Sequence, residues 1–358
     1  MDNTELLLKE ITEASGVSGY ESEIRKIMAR EMNGLVDEIE YDRMGSIMGR
    51  KVGSTDSPKI MIISHMDEIG FMVKEITDEG YIKFLPLGGW LGSVAFGQKM
   101  RVITSKGTFV GVIGTTPPHM VPVEDRKKAP ELKDMYIDSG VKKGFSIEKK
   151  LGVKIGDPII PESQFEIMPN PKLYMAKAFD NRVSCALVLD VLRKFKNVKH
   201  ANTILGCASV QEEVGLRGAQ TMAHIADPDI CIVLDTGIAQ DVPPDGFGKR
   251  ERLGAGPCVL VYDAAMIPNI GLRDLVLKTA AAKKIPHHLS YMERGGTDGG
   301  RIHITRAGVP SLVVGPPVRY IHSHNGILDR TDYDNTVKLI VEVIKKLDKK
   351  TVKSFTEA

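Results

Sequence analysis

Apolar positions recur at helical spacing over 3–15 and 20–33, and Ser18-Gly-Tyr-Glu21 has the form of a capping box opening the second helix. Short apolar runs then predict strands over 37–41, 46–51 and 59–64. From about residue 70 the texture changes. Brief runs at 70–74, 81–85, 99–104 and 108–113 alternate with Gly, Pro and Asp turns, and no long helix separates them. Closely spaced short strands of this kind predict a small β-barrel. The charged, proline-bearing segment 117–135 follows neither period and reads as a surface loop.

Beyond residue 173 strand and helix alternate. Strands are expected over 173–178, 203–210, 230–234, 258–262, 288–292 and 311–314, with helices over 181–196, 216–225, 270–283 and 333–346. Such alternation predicts an α/β fold, a mainly parallel sheet sandwiched by helices. The early strands, up to His65, join that sheet. Residues 1–68 and 165–358 are then one α/β domain, and 69–164 an inserted β-rich domain.

Composition narrows the class. Apolar residues make up 42% and charged residues 26%, which is a globular balance rather than a disordered one. The net charge of +2 is spread without a basic stripe, so nucleic acid is not an expected partner. Cys185, Cys207, Cys231 and Cys258 stand singly inside apolar segments, which predicts buried free thiols. The first residues lack the order of a signal peptide, and no window nears the roughly 20 apolar residues of a membrane span. A cytoplasmic protein without a membrane partner is expected.

The candidate chemistry sits at strand ends, where open α/β sheets bind ligands. His65 closes the run Lys59-Ile-Met-Ile-Ile63, and Asp67 follows two positions on, on the same side of an extended chain. That is the arrangement of a metal-binding histidine held by a carboxylate. Asp180 lies between a strand and a helix, Glu212 and Glu213 follow the run ending at Gln211, Asp235 follows another, and His322 lies past the strand near Val313. Two imidazoles and three carboxylates suit a pair of divalent ions such as zinc, cobalt or manganese. Asp180, Glu213 and Asp235 with one hydroxide would balance their four charges. The neighbours Glu212 and Glu213 face opposite ways in an extended chain, so one ligand and one free proton-transferring carboxylate is the economical division. Thr297 and Asp298, in a Gly-rich loop, are candidates for the substrate side or for a simple turn. His324 reads as a pocket-wall or surface residue and His287-His288 as solvent-facing.

Together these motifs resemble the glutamyl/deblocking aminopeptidase family of dinuclear metallopeptidases, which includes tetrahedral self-compartmentalising aminopeptidases. The resemblance rests on Ser64-His-Met-Asp-Glu-Ile-Gly-Phe71, Ala178-Phe-Asp-Asn-Arg182, Val210-Gln-Glu-Glu-Val-Gly-Leu-Arg-Gly-Ala219, Leu234-Asp-Thr236, Gly295-Gly-Thr-Asp298 and Arg319-Tyr-Ile-His-Ser323, and spans nearly the whole chain. It implies that Asp180 bridges two ions, that His65 and Asp235 complete one shell, and that Glu213 and His322 complete the other. It further implies Glu212 as general base, Asp67 as orienter of His65, and a cis peptide between Asp180 and Asn181. The implied reaction is removal of N-terminal residues from peptides by a water bridging the ions. The implied assembly is a homo-oligomer, dimers building a dodecamer through the inserted domain. Some family members are labelled endoglucanases, so a glycoside hydrolase is one alternative reading; a dinuclear deacylase of N-acyl amino acids is another.

Overall fold

A computed structural model of the chain describes residues 1–124, 127–141, 144–243 and 251–356. Among these, an eight-stranded sheet runs in the order Glu38–Tyr41, Ile47–Lys51, Thr203–Ser209, Lys59–His65, Ile230–Leu234, Ser311–Gly315, Cys258–Tyr262, His288–Tyr291. The four strands from Thr203–Ser209 to Ser311–Gly315 are parallel neighbours. The first two strands are antiparallel additions, and Cys258–Tyr262 runs antiparallel to Ser311–Gly315.

The strand residues explain why both faces are covered. Successive side chains point to opposite faces. Ile60 and Ile62 accordingly join a core with Val183, Leu187 and Leu339, while Met61 and Ile63 join a second with Ala219 and Met222. Long helices Phe179–Phe195 and Arg330–Ile344 serve the first face and Arg217–Ala226 the second. A strand apolar at every position has no solvated side, so it needs this two-sided cover.

The inserted segment closes a barrel in the order Gly70–Ile76, Ile82–Leu87, Tyr136–Asp138, Gly107–Gly114, Lys99–Thr104, Pro158–Pro161. Phe71, Phe84, Trp90, Met100, Val102 and Ile159 fill it. In the expected loop 117–135, Pro118–Met120 and Leu132–Asp134 are single 3-10 turns; residues 125–126 of it lie outside the described residues.

Three expectations are corrected. Leu173–Ala176 is not in the main sheet. It pairs with Gly326–Asp329 in a separate five-stranded sheet, and its alternating burial marks a strand with only one covered face. Ser18 and Glu21 form no capping box. The helix Ser22–Met32 has no side-chain cap, because the Ser18 hydroxyl donates to Asp67 and Glu21 accepts from the Gly19 and Gln211 amides instead. The box of the N-terminal region lies at Asp2 and Glu5, opening Asn3–Glu13. His288 is buried rather than solvent-facing, since strand pairing sets it opposite Cys258, whose sulfur lies 3.0 Å from its Nε2. All four cysteines are free and buried. No helix among the described residues is long and apolar enough to cross a membrane.

Candidate active site

His65 is the last residue of a buried strand, so its ring leaves the sheet at the carboxyl end. Nδ1 lies 3.1 Å from the Asp67 backbone oxygen and 3.4 Å from its carboxylate. That leaves Nε2 facing Asp180 Oδ1 at 3.4 Å and Glu212 Oε2 at 3.8 Å. Asp180 stands at the start of Phe179–Phe195, where Asp180 and Asn181 have non-helical torsions and the peptide between them is cis. Its second oxygen faces His322 Nε2 at 3.4 Å, and that nitrogen lies 3.6 Å from Glu213 Oε2. One carboxylate therefore addresses both imidazoles, one oxygen each. Ligand atoms of His65, Asp180 and Glu213 lie within 4.8 Å of one another, as do those of His65, Glu212 and Asp235.

Asp67 contacts more than His65. It is fully buried and accepts from the amides of Glu212 at 3.0 Å and Glu213 at 3.1 Å and from the Ser18 hydroxyl at 2.6 Å. A single carboxylate thus ties the His65 strand end to the turn that presents both glutamates.

The electrostatics test whether cations fit here. Burial raises the proton affinity of Glu212 well above the usual carboxylate range despite the opposing pull of His65, with Asp298, Glu213 and Asp235 adding to the rise. Burial and Asp180 push Glu213 up to about 8. Burial, opposed by His65 but joined by Asp180 and Asp298, pushes Asp235 up to about 8. Burial opposes ionisation of Asp180 as well, yet hydrogen bonds with His322 and His65 hold it well below its ordinary value. His322 is pushed up to about 10, because Asp180 and Glu213 outweigh its burial. Carboxylates that disfavour one another's ionisation, interleaved with two imidazoles, are a donor set that divalent cations satisfy. The residues fit the group.

The cluster opens into a cavity of about 680 Å³ lined also by Ile238, Ala264, Met292, Arg294, Gly296 and Ile321. Thr297 lines it too, with its hydroxyl donating to Asp263 at 2.9 Å. Asp298 lies beneath, 1% exposed, accepting from Ser209. His324 is buried and donates from Nε2 to the Glu162 carbonyl at 2.9 Å, away from the cluster.

Sequence reasoning gave no part in the site to four contributors. Ser18 supports Asp67. The Gly89 carbonyl receives the second nitrogen of His322 at 2.9 Å. Arg294 is the only Lys or Arg among the described lining residues. Arg182 is fully buried and donates to the carbonyls of Met66, Ile11, Ala14 and Gly16. Only Arg182 left a signal, a charged residue among the apolar positions of a buried helix. The others act through tertiary contacts.

The strand-end cluster of His and acidic residues thus lies on a helix-covered sheet with a closed barrel beside it. Residues 45–339 match the family model described as M42 glutamyl aminopeptidase, and the chain belongs to that family of metallopeptidases. It is 34% identical to a glutamyl aminopeptidase of Lactococcus lactis subsp. cremoris, over 96% of this chain and 97% of that protein. It is 33% identical to a lysyl aminopeptidase of Pyrococcus furiosus, over 96% and 98%. The TET aminopeptidase structure from Thaumarchaeota archaeon SCGC AB-539-E09 superposes with a TM-score of 0.96 at 44% identity, covering 99% of this chain and all of that one. A Pyrococcus horikoshii TET1 peptidase, described as assembling into a tetrahedron or a large octahedral shell, gives 0.84 at 29% identity over 96% and 100%. A Thermotoga maritima structure described as an endoglucanase gives 0.77 at 30% identity over 98% and 99%.

Proposed function

We propose that this chain is an aminopeptidase that uses two divalent cations and Glu212 to release the N-terminal residue of peptides. The observation that carries the reading is Asp180 facing His65 and His322 with its two oxygens, flanked by Glu213 and Asp235. His65, Asp180 and Asp235 would hold one cation and His322, Asp180 and Glu213 the other. When bound, the pair polarises the scissile carbonyl and makes water acidic enough to attack near neutral pH. Zinc and cobalt suit the donors best, and manganese is compatible.

The chain's own part is proton transfer and placement. Glu212 is 8% exposed, lines the cavity and is fixed at its amide by Asp67. It takes the proton released as the water oxygen bonds to the carbonyl carbon. It then delivers that proton to the amine nitrogen as the C–N bond breaks. The substrate's free α-amino group meets the carboxylate-rich end of the cavity, which confines cleavage to the first residue. Thr297 serves the substrate side. The domain of 1–68 and 165–358 is catalytic, and 69–164 is the oligomerisation domain of a dodecamer built from dimers.

The test is a panel of aminoacyl anilides, an N-acyl amino acid and a β-glucan, run with wild type and Glu212→Gln after metal addition. Anilide hydrolysis falling roughly 10²–10⁴-fold in the variant, with metal retained, is expected. Near-wild-type turnover by Glu212→Gln would remove the base assignment. Chelator-resistant sugar release would favour the glycosidase reading, and preference for the N-acyl substrate the deacylase.

A further inference from the structure

The two histidines of the cluster are held very differently. His65 ends a strand inside the main sheet, is 2% exposed, and rests Nδ1 on the backbone oxygen of Asp67 in its own segment. His322 has no such frame. It lies outside any strand or helix, its side chain is 38% exposed, and both it and Tyr320 have positive φ. Its Nδ1 donates instead to the Gly89 carbonyl, 233 positions away in sequence and on the barrel. The approach is close. A methyl group at Gly89 would lie 3.0 Å from His322 Nδ1, and one at Gly88 would lie 3.0 Å from Glu213 Oε2.

The loop carrying these glycines is anchored in the barrel. It leaves the strand Ile82–Leu87, and its next residue, Trp90, is buried and stacked on Phe71 with ring centres 5.0 Å apart. Phe71 in turn packs on Phe84 at 4.5 Å. The aromatic core of the insertion is therefore one residue away from the carbonyl that holds His322 Nδ1 as a hydrogen-bond donor. With Nδ1 donating, Nε2 is the nitrogen left to ligate a cation beside Asp180 and Glu213. A hydrogen bond from a ligating imidazole to a carbonyl fixes the ring and strengthens the donor nitrogen.

We propose that the inserted barrel is a working part of the cation site: the Gly89 carbonyl positions His322 and sets how tightly the ion shared by Asp180, Glu213 and His322 is held. Gly89 is a positioning residue, acting through His322. The inference rests on the two-cation reading above and goes further by making the two cations unequal in their dependence on the insertion.

The experiment is zinc binding to full-length, metal-stripped protein by calorimetry with a competing chelator, comparing wild type with Gly89→Ala and Trp90→Ala. Gly89 does not have positive φ, so Ala adds only the methyl against His322. Trp90→Ala loosens the loop without adding atoms to the site. In both variants one zinc should bind as in wild type and the other about 10–100-fold more weakly. Anilide turnover should return as zinc is raised, which a general folding defect would not show; circular dichroism checks the fold. Two zinc ions bound with wild-type affinity in folded Gly89→Ala would overturn the proposal, as would equal weakening of both. Wild type that binds no divalent cation would instead overturn the two-cation reading, and this proposal with it.

Discussion

Arg182 offers the sharpest test of what holds the site in place. Its guanidinium is fully buried and joins the end of the helix Asn3–Glu13, the segment through Gly16, and Met66 beside the His65–Asp67 turn. Replacing it by Met keeps most of the volume and removes every donor. Two of its acceptors retain a partner: the Ala14 carbonyl keeps Lys177 Nζ at 3.1 Å, and the Gly16 carbonyl keeps the Glu68 amide at 3.0 Å. The Ile11 and Met66 carbonyls lose the guanidinium outright. Glu68 remains neutralised by Lys177, with contacts of 2.7 and 2.8 Å. Two stranded buried carbonyls at about 1–3 kcal/mol each give a loss of roughly 4 kcal/mol. That agrees with the roughly 3–5 kcal/mol typical of breaking a buried charged network from one side. At on the order of 2 °C per kcal/mol for a chain this large, the apparent Tm should fall about 8 °C. Wild type and Arg182→Met would be compared by scanning calorimetry at one protein and metal concentration, since bound ligand and assembly also move Tm. Arg182→Lys should lie nearer to Met than to wild type, because one ammonium cannot span carbonyls on separate segments. A fall under 2 °C for Arg182→Met would refute the reasoning.

Chelation with EDTA should abolish anilide hydrolysis, with zinc, cobalt or manganese restoring it; full activity in the stripped protein would contradict the cation assignment. Because Arg294 is the only Lys or Arg among the described cavity-lining residues, Arg294→Ala should lower kcat/KM for a glutamyl anilide about tenfold more than for a leucyl one. Equal losses on the two substrates would show that Arg294 does not read the substrate's charge.

The local features of this protein were legible in its sequence because they depend on near neighbours. Continuous apolar runs at 60–63 and 230–234 read as buried strands, since each is apolar on both faces of so short a segment. Chain order then puts His65, Glu212, Glu213 and Asp235 at or just past strands of the main sheet, at the end where ligands bind. Periodicity could not tell that Leu173–Ala176 belongs to another sheet, because pairing partners are chosen across 150 residues of chain. It could not tell that Ser18 serves Asp67 rather than a helix end, since the hydroxyl satisfies either and only the fold brings the carboxylate to it. Nor could it reveal that His322 leans on the barrel. That hydrogen bond joins two segments whose own patterns are complete without each other, and it exists only because the folded chain brings Gly89 and His322 together.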